Sequence, residues 1–448
     1  MTMSKSLNRM ALIGLLLAVV GCGGGEGPQK TITVRHGLDE FALGTQHVHY
    51  SALTDEGIRS APQTEFSAFG QNLVSLPADT TYVLVEAHDT DGALTASAIY
   101  PVSSEGVAVR ATSLPRWMTD NPKIQGATLS RIAMPGAHDA GMGKIHSCST
   151  YANTKTTQTQ KTSFAEMLQA GIRYFDVRPV IGGPGSSGMR LGHFQWIGKD
   201  IDLGIVKLTL RNEGCLGYSM DEVLEDVRAF LASNNNREVV ILKMSHFMNL
   251  DKFGGKGSHF DQADLRGLEA RVIKKLEPFL LPNRPDFRHA TISTLTATGP
   301  KAIVTFDAPG YDGAAGIYSE STLSLYDEYS DSNNVKTMEA DQFAKMDRNG
   351  WQPASGPDAK HFVLSWTLTQ SEKQAIGCTL PANIGALVGY GCVPLQKLAG
   401  EANARQGDIY KHSHEARRYP NVIYVDNAGV DTATWAVAIN AMDKSNWR

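Results

Sequence analysis

From about residue 126 onward the chain alternates short apolar runs with segments of helical period. The runs at 172–177, 239–244, 301–306, 361–366 and 422–425 are dominated by Val, Ile, Leu and Phe. Runs of that kind predict strands buried on both faces. Between them, Ser163-Phe-Ala-Glu166 and Ser219-Met-Asp-Glu222 are capping boxes, each opening a helix. Phe164, Met167 and Leu168 give the first helix an apolar face, and Gly171 ends it. Val223, Leu224, Val227, Phe230 and Leu231 do the same for the second. Leu265, Leu268, Val272, Ile273, Leu276 and Phe279 mark a third, which ends near Pro282. Buried strands alternating with amphipathic helices build a parallel sheet. About 320 residues in this pattern fit a distorted (β/α)8 TIM barrel better than an open doubly wound sheet. Neither GxGxxG nor GxxxxGK[ST] follows a strand, so a nucleotide fold is unsupported.

The residues ahead of this pattern read differently. Lys5 and Arg9 precede an apolar run from Met10 to Val20, too short to span a bilayer and typical of a secretory signal. The run leads into Gly21-Cys22 and three glycines, which resembles a bacterial lipobox with Cys22 as the lipid-bearing residue. The expected organisation is a leader over 1–22, a flexible tether over 23–30, a small β-sandwich-like domain over 31–112 and the barrel over 113–448. The expected location is outside the cytoplasm, as a membrane-anchored bacterial lipoprotein at the cell surface or secreted. Within 31–112, Thr31-Ile-Thr-Val34, Thr81-Tyr-Val-Leu-Val85 and Gly106-Val-Ala-Val109 read as strands, and Asp89-Thr-Asp-Gly92 as a turn. A formal charge of −4 gives no basic excess, so nucleic acid is not an expected partner. Cys148, Cys215, Cys378 and Cys392 suit one or two disulfides in an exported chain. The closeness of Cys378 and Cys392 favours that pair and leaves Cys148 with Cys215. Zinc binding is the lesser alternative, because no CxxC spacing occurs.

Polar residues gather at the predicted strand ends. Residues 131–134 read as a short strand, followed by a Pro-Gly break and the pair His138-Asp139, bracketed by Gly136, Gly141 and Gly143. Asp176 and Arg178 share a strand face by alternation. His193 follows Arg190-Leu-Gly192, and Asp426 closes Val422-Ile-Tyr-Val425. Two histidines, an arginine and carboxylates point to acid–base chemistry on a phosphate ester. One histidine takes a proton, the other gives one, and the guanidinium balances charge on the phosphate oxygens. Each of these residues alone also fits an ordinary structural role: Arg178 as a salt bridge with Asp176, Asp426 as a helix N-cap.

Taken together the motifs are recognisable. Ile132-Ala-Met-Pro-Gly-Ala-His-Asp139, Gly171-Ile-Arg-Tyr-Phe-Asp-Val-Arg178, Leu191-Gly-His193, Arg237-Glu-Val-Val-Ile-Leu242 with Ser245-His-Phe247, and Val422-Ile-Tyr-Val-Asp426 occur in this order. The set resembles the X domain of phosphatidylinositol-specific phospholipase C, in its bacterial and X-domain-only forms. The resemblance implies a distorted TIM barrel that cleaves phosphodiesters through a neighbouring hydroxyl, by way of a cyclic inositol phosphate. It implies His138 as general base with Asp426 as its partner, and His193 as general acid with Asp139. Arg178 matches the position where bacterial members place an arginine and eukaryotic enzymes use calcium, so neither a metal nor another cofactor is expected. Asp176 would orient Arg178, and His246 and Lys243 would line the substrate site. The expected partner is a phospholipid at a membrane interface. Alternatives are a phosphodiesterase for another phospholipid or a glycerophosphodiester, and a non-catalytic phosphoinositide- or glycan-binding module. The chain departs from the pattern at Ala137, where serine or threonine is usual, and at a glycine-rich insertion over 182–188. Residues 254–259 are also glycine-rich, and 311–351 match no motif.

Overall fold

The computed structural model describes residues 29–36, 47–54, 57–60, 66–67, 70–80, 82–88, 94–102, 107–109, 114–186, 188–204, 207–233, 236–252, 258–282, 284–313, 316–356 and 358–442. The leader with Cys22, most of the tether and the turn at 89–92 lie outside these residues. Ahead of the barrel, Gln29–His36 pairs with Gly70–Pro77 and Val107–Val109 in one sheet. A second sheet holds His47–Thr54, Gly57–Ser60, Phe66–Ser67, Tyr82–His88 and Leu94–Pro101. Ile32, Val34, Val48, Tyr50, Val74, Leu76, Val83 and Val85 are among the residues of their shared apolar cluster.

The large sheet has eight parallel strands: β1 Met134–Ala137, β2 Tyr174–Val177, β3 Val239–Met244, β4 Lys301–Phe306, β5 Ile317–Ser319, β6 Leu325–Asp327, β7 His361–Ser365 and β8 Val422–Val425. Their spatial order is β5-β4-β3-β2-β1-β8-β7-β6. The curled sheet therefore follows chain order, but among the described residues no ladder joins β5 to β6. The expected barrel is an open one. Two three-residue strands flank the opening, and both fall in the 311–351 region that matched no motif.

Alternation sorts the side chains onto two faces. Phe175, Val177, Val240, Leu242, Val304, Phe306, Leu364, Ile423 and Val425 join the outer core beneath the helices. Met134, Tyr174, Ile241, Ile303, Val363 and Val422 fill the interior. Each fully buried aliphatic or aromatic side chain contributes about 1.5–3 kcal/mol. Both predicted capping boxes form, at Phe164–Gln169 and Met220–Leu231. The third helix spans Gln262–Leu276 and passes into a 3-10 turn, Glu277–Phe279, sooner than expected because Pro278 cannot continue it.

The opening segment differs from its sequence reading. Residues Leu129–Arg131 form a 3-10 turn, and β1 starts at Met134 with Pro135 and Gly136 inside it. A Cβ on Gly136 would meet Val422 Cγ1 at 2.7 Å, so only glycine lets β8 lie this close. Pro135 accepts from Arg173 N through its carbonyl. The Trp117 indole donates to the Gly171 carbonyl at 2.9 Å, tying the entry segment to the turn ahead of β2.

A second, five-stranded sheet projects from the segment after β2. Its centre is a long antiparallel hairpin, Met189–Asp202 against Lys207–Ser219, flanked by Pro179–Ile181 and Ser147–Cys148. Cys148 is bonded to Cys215, and Cys378 to Cys392. Among the described residues no helix is long and apolar enough to cross a membrane.

Candidate active site

The interior face turns polar at the C-terminal ends of the strands. Continuing the inward alternation by two and four residues leads from Met134 to Gly136 and His138, and from Tyr174 to Asp176 and Arg178. The same step leads from Ile241 to Lys243 and Ser245, and from Val422 to Tyr424 and Asp426. Four strands thus deliver their polar residues to one end of the barrel. Three of the exits run through left-handed backbone at non-glycine residues: Asp139 (φ 42°), His246 (φ 53°) and Asn427 (φ 51°). Asp, Asn and His tolerate that region better than other side chains. Such strained positions cluster at functional sites.

His138 Nδ1 lies 2.7 Å from Asp426 Oδ1, and its Nε2 lies 2.8 Å from Arg178 Nη2. Burial pulls the imidazole down, but the charge of Asp426 and its hydrogen bond outweigh it, and the net shift is upward. Gln160 fixes the loop from behind. It donates to the His138 carbonyl at 2.7 Å and accepts from Ala428 N at 2.9 Å.

Asp176 is the hub. Its Oδ2 accepts from Arg178 Nε (2.9 Å), Asp139 N (3.1 Å) and the Tyr424 hydroxyl (2.6 Å), and its Oδ1 from Ser245 Oγ (3.1 Å). Burial raises the carboxyl, but the charges of Arg178 and Lys243 prevail and hold it well below the usual carboxylate range. Arg178 is itself raised, because Asp176 and Asp139 outweigh its burial.

His193 stands inside the hairpin strand Met189–Asp202, not at the end of a barrel strand as expected. Its Nδ1 nevertheless comes within 2.7 Å of Asp139 Oδ2, although the N–H is not aimed squarely at that oxygen. Asp139 is fully buried. Burial raises it, yet Arg178 and His193 bring its net shift below the ordinary value. Close glycine packing holds the hairpin against the Asp139 loop. A Cβ on Gly141 would meet Leu191 Cβ at 2.2 Å, and one on Gly217 would meet the Gly141 carbonyl at 2.1 Å.

Lys243 faces Asp327 of β6 at 3.6 Å, and Ser365 Oγ donates to Asp327 at 3.2 Å. Lys243 is in register with Asp176 on one side and Thr305 on the other. The Tyr174 hydroxyl and Thr305 Oγ1 are buried without a hydrogen-bond partner. His246 is exposed at the rim, with Nδ1 2.9 Å from Ser245 Oγ. Desolvation by the surrounding protein and the Arg178 charge pull its imidazole down to about 4, against the opposing charge of Asp176.

The structure thus brings His138, Asp139, Asp176, Arg178, His193 and Asp426 into one linked network, with Lys243 and His246 beside it. Tyr424, Ser245, Gln160 and Asp327 were not singled out from sequence. Tyr424 had a signal, since alternation puts it on the face of Asp426. Its ring packs edge-on to His138, centroids 5.1 Å apart. Among the described residues no group of three or more His, Cys, Asp or Glu side chains could hold a metal ion.

Curated sequences carry the same signal. Over 156 residues the chain is 27% identical to PI-PLC X domain-containing protein 2 of Mus musculus and of Homo sapiens. The chain is similar to PI-PLC X-domain proteins. The alignment takes in 30% of this chain and 40% and 45% of those relatives, so it spans less than half of their length. No family model matches the chain. Among solved structures, a phosphatidylinositol-specific phospholipase C from Listeria monocytogenes overlaps with a TM-score of 0.49 at 16% identity, covering 74% of this chain and 100% of that one. One from Staphylococcus aureus overlaps at 0.47 and 16%, covering 74% and 98%.

Proposed function

We propose that this chain is a phosphodiesterase of the phospholipase C kind, cleaving phosphatidylinositol-like phosphodiesters without a required metal. The carrying observation is the pair of histidines, each with a buried carboxylate at Nδ1, His138 meeting Arg178 and Arg178 in turn reaching the Asp139 that meets His193. His138 Nε2 takes the proton from the substrate hydroxyl next to the phosphate. That oxygen attacks phosphorus and closes a cyclic phosphate. The bond from phosphorus to the diacylglycerol oxygen breaks, and His193 gives the leaving alkoxide its proton. Arg178 faces the non-bridging oxygens, where negative charge gathers. Asp176 orients Arg178. Lys243 with Asp327, and the unpartnered hydroxyls of Tyr174 and Thr305, offer the donors and acceptors that a polyhydroxylated head group needs. His246 lines the rim.

The deciding experiment incubates the protein with phosphatidylinositol vesicles and EDTA and follows inositol phosphate in the aqueous phase. Cyclic inositol phosphate should appear first. Release from other phospholipids, with none from phosphatidylinositol, overturns the substrate. Release from no phosphodiester overturns the enzymatic reading.

The location follows from the leader. We place the protein outside the cytoplasm, held to a membrane by lipid on Cys22, next to its lipid substrate. Cys22→Ser should then leave the membrane fraction or remain unprocessed. Unchanged fractionation overturns the anchor.

A further inference from the structure

His193 and Asp139 belong to different parts of the fold, so something must hold them 2.7 Å apart. The ladder that carries His193 is poorly suited to do so alone. It consists of Gly192↔Leu216, His193↔Cys215, Phe194↔Gly214, Gln195↔Glu213 and Trp196↔Asn212, and a register shift interrupts it on each side, at Arg190/Gly192 and Trp196/Lys199. A short ladder between bulges is weakly specified, and a slip of one residue turns every side chain to the opposite face.

One covalent bond anchors the strand opposite His193 to the segment that follows Asp139. Cys215 is directly opposite His193 on one side and Cys148 on the other. Directly opposite residues share a sheet face, so Cys148, Cys215 and His193 form one row. Cys148–Cys215 is a disulfide, and Cys215 is fully buried. Cys148 lies on the segment that continues from the Asp139 loop. Hydrogen bonds extend the tie: His146 N donates to the Leu216 carbonyl at 2.7 Å, and Ser149 N to that of Gly214 at 2.9 Å. The bridge therefore joins the segment carrying Asp139 to the strand from which His193 takes its place.

We propose that Cys148 and Cys215 are positioning residues for His193, their disulfide setting the imidazole against Asp139 for proton delivery to the leaving group. Cys378–Cys392 closes a segment after β7 and lies outside the row that holds His193. The inference rests on the reading of His193 as general acid.

The test compares Cys148→Ala/Cys215→Ala with Cys378→Ala/Cys392→Ala, His193→Ala and the parent. Rates are measured on inositol phosphodiesters with alkyl and with nitrophenyl leaving groups. An alkoxide needs the proton and a nitrophenolate does not. Opening the Cys148–Cys215 bridge should cost about 10²-fold on the alkyl ester and about threefold or less on the nitrophenyl ester. A bridge that only stabilises the fold lowers both rates equally, and that result overturns the proposal. If the double variant does not fold, the parent is reduced under native conditions, and alkylation with mass spectrometry shows which bridge has opened. An unchanged rate ratio with Cys148–Cys215 open is equally fatal. A parent inactive on both esters refutes the proposed function instead. A His193→Ala variant that fails to separate the esters refutes the acid assignment.

Discussion

A terminal nitrogen of Arg178 sits 2.8 Å from His138 Nε2. A guanidinium has only donors, so the imidazole must meet it with a lone pair. The ring proton is then on Nδ1, directed at Asp426 Oδ1 2.7 Å away. Arg178 and Asp426 together select the tautomer that the proposed general base requires. They also occupy it: the lone pair that would accept a substrate proton is already taken by an arginine N–H. In the proposed reaction an incoming phosphate would compete for that guanidinium and free Nε2 as it binds. The proposed base and phosphate-binding group would thereby be coupled in one contact.

That coupling gives a pH prediction. His138 is raised above the ordinary histidine value because Asp426 outweighs burial. The base must be unprotonated, so activity is lost as pH falls through this raised value. Asp426→Asn removes the charge that raises it and leaves burial and Arg178, which both lower it. The acid limb of kcat/KM should move to lower pH, while the plateau falls by about 10²-fold because the ring is a weaker base and less firmly held. A limb that stays put or moves upward contradicts the pairing.

Arg178 carries the second prediction. Its Nε is on Asp176 and its terminal nitrogens reach His138 and Asp139, three directions that a planar fork can serve at once. Arg178→Lys keeps the charge and loses the fork. Activity should fall by about 10²–10³-fold, while EDTA leaves the parent untouched. Calcium dependence in the parent, or near-full activity in Arg178→Lys, refutes it.

Much of this frame was legible because burial writes itself into sequence. Lys301–Phe306 and Val422–Val425 were readable as strands from their apolar runs. Ile317–Ser319 and Leu325–Asp327 were not, because three residues carry no period. The His138-Asp139 loop was legible through its glycines, yet Pro135-Gly136 reads as a break and is strand. Its place there depends on the close approach of Val422, which is remote in sequence. His193 was found by motif but misplaced, since nothing local announces that Met189–Asp202 leaves the barrel to pair with Lys207–Ser219. Tyr424 falls in a run read as a buried strand, and it is buried; its hydroxyl reaches Asp176 only because β8 and β2 flank β1.

The opposite end of the barrel gives a stability prediction separate from chemistry. Arg173 and Glu238 form a fully buried ion pair at 2.8 Å, just ahead of β2 and β3. Arg173 also donates to the carbonyls of Leu168, Ile172 and Pro115. Glu238 accepts from Met118 N and Thr119 N. The pair ties the entry segment to the barrel floor. Glu238→Gln strands a buried guanidinium and should cost about 3–5 kcal/mol in a urea melt. Rates of the folded fraction should change little, because the active-site network is at the other end. A loss below about 1 kcal/mol shows that the charge is neutralised in some other way.

The last prediction separates the two histidines by what departs. Deprotonating the attacking hydroxyl is needed whatever the leaving group, and protonating the departing oxygen matters only when it leaves poorly. With diacylglycerol or another alkoxide leaving, His138→Ala and His193→Ala should each cost about 10²–10⁴-fold. With nitrophenolate leaving, His193→Ala should regain most of its deficit and His138→Ala should not. Position motivates the division. His138 is paired to Asp426 and has Nε2 toward Arg178, where the phosphate and its neighbouring hydroxyl would be held. His193 comes from the separate hairpin and approaches through Asp139, with part of its ring open to solvent. Rates for both variants on paired alkyl and nitrophenyl inositol phosphodiesters decide the matter. Equal recovery in both leaves neither assigned as acid, and recovery confined to His138→Ala exchanges the two roles while leaving the network itself intact.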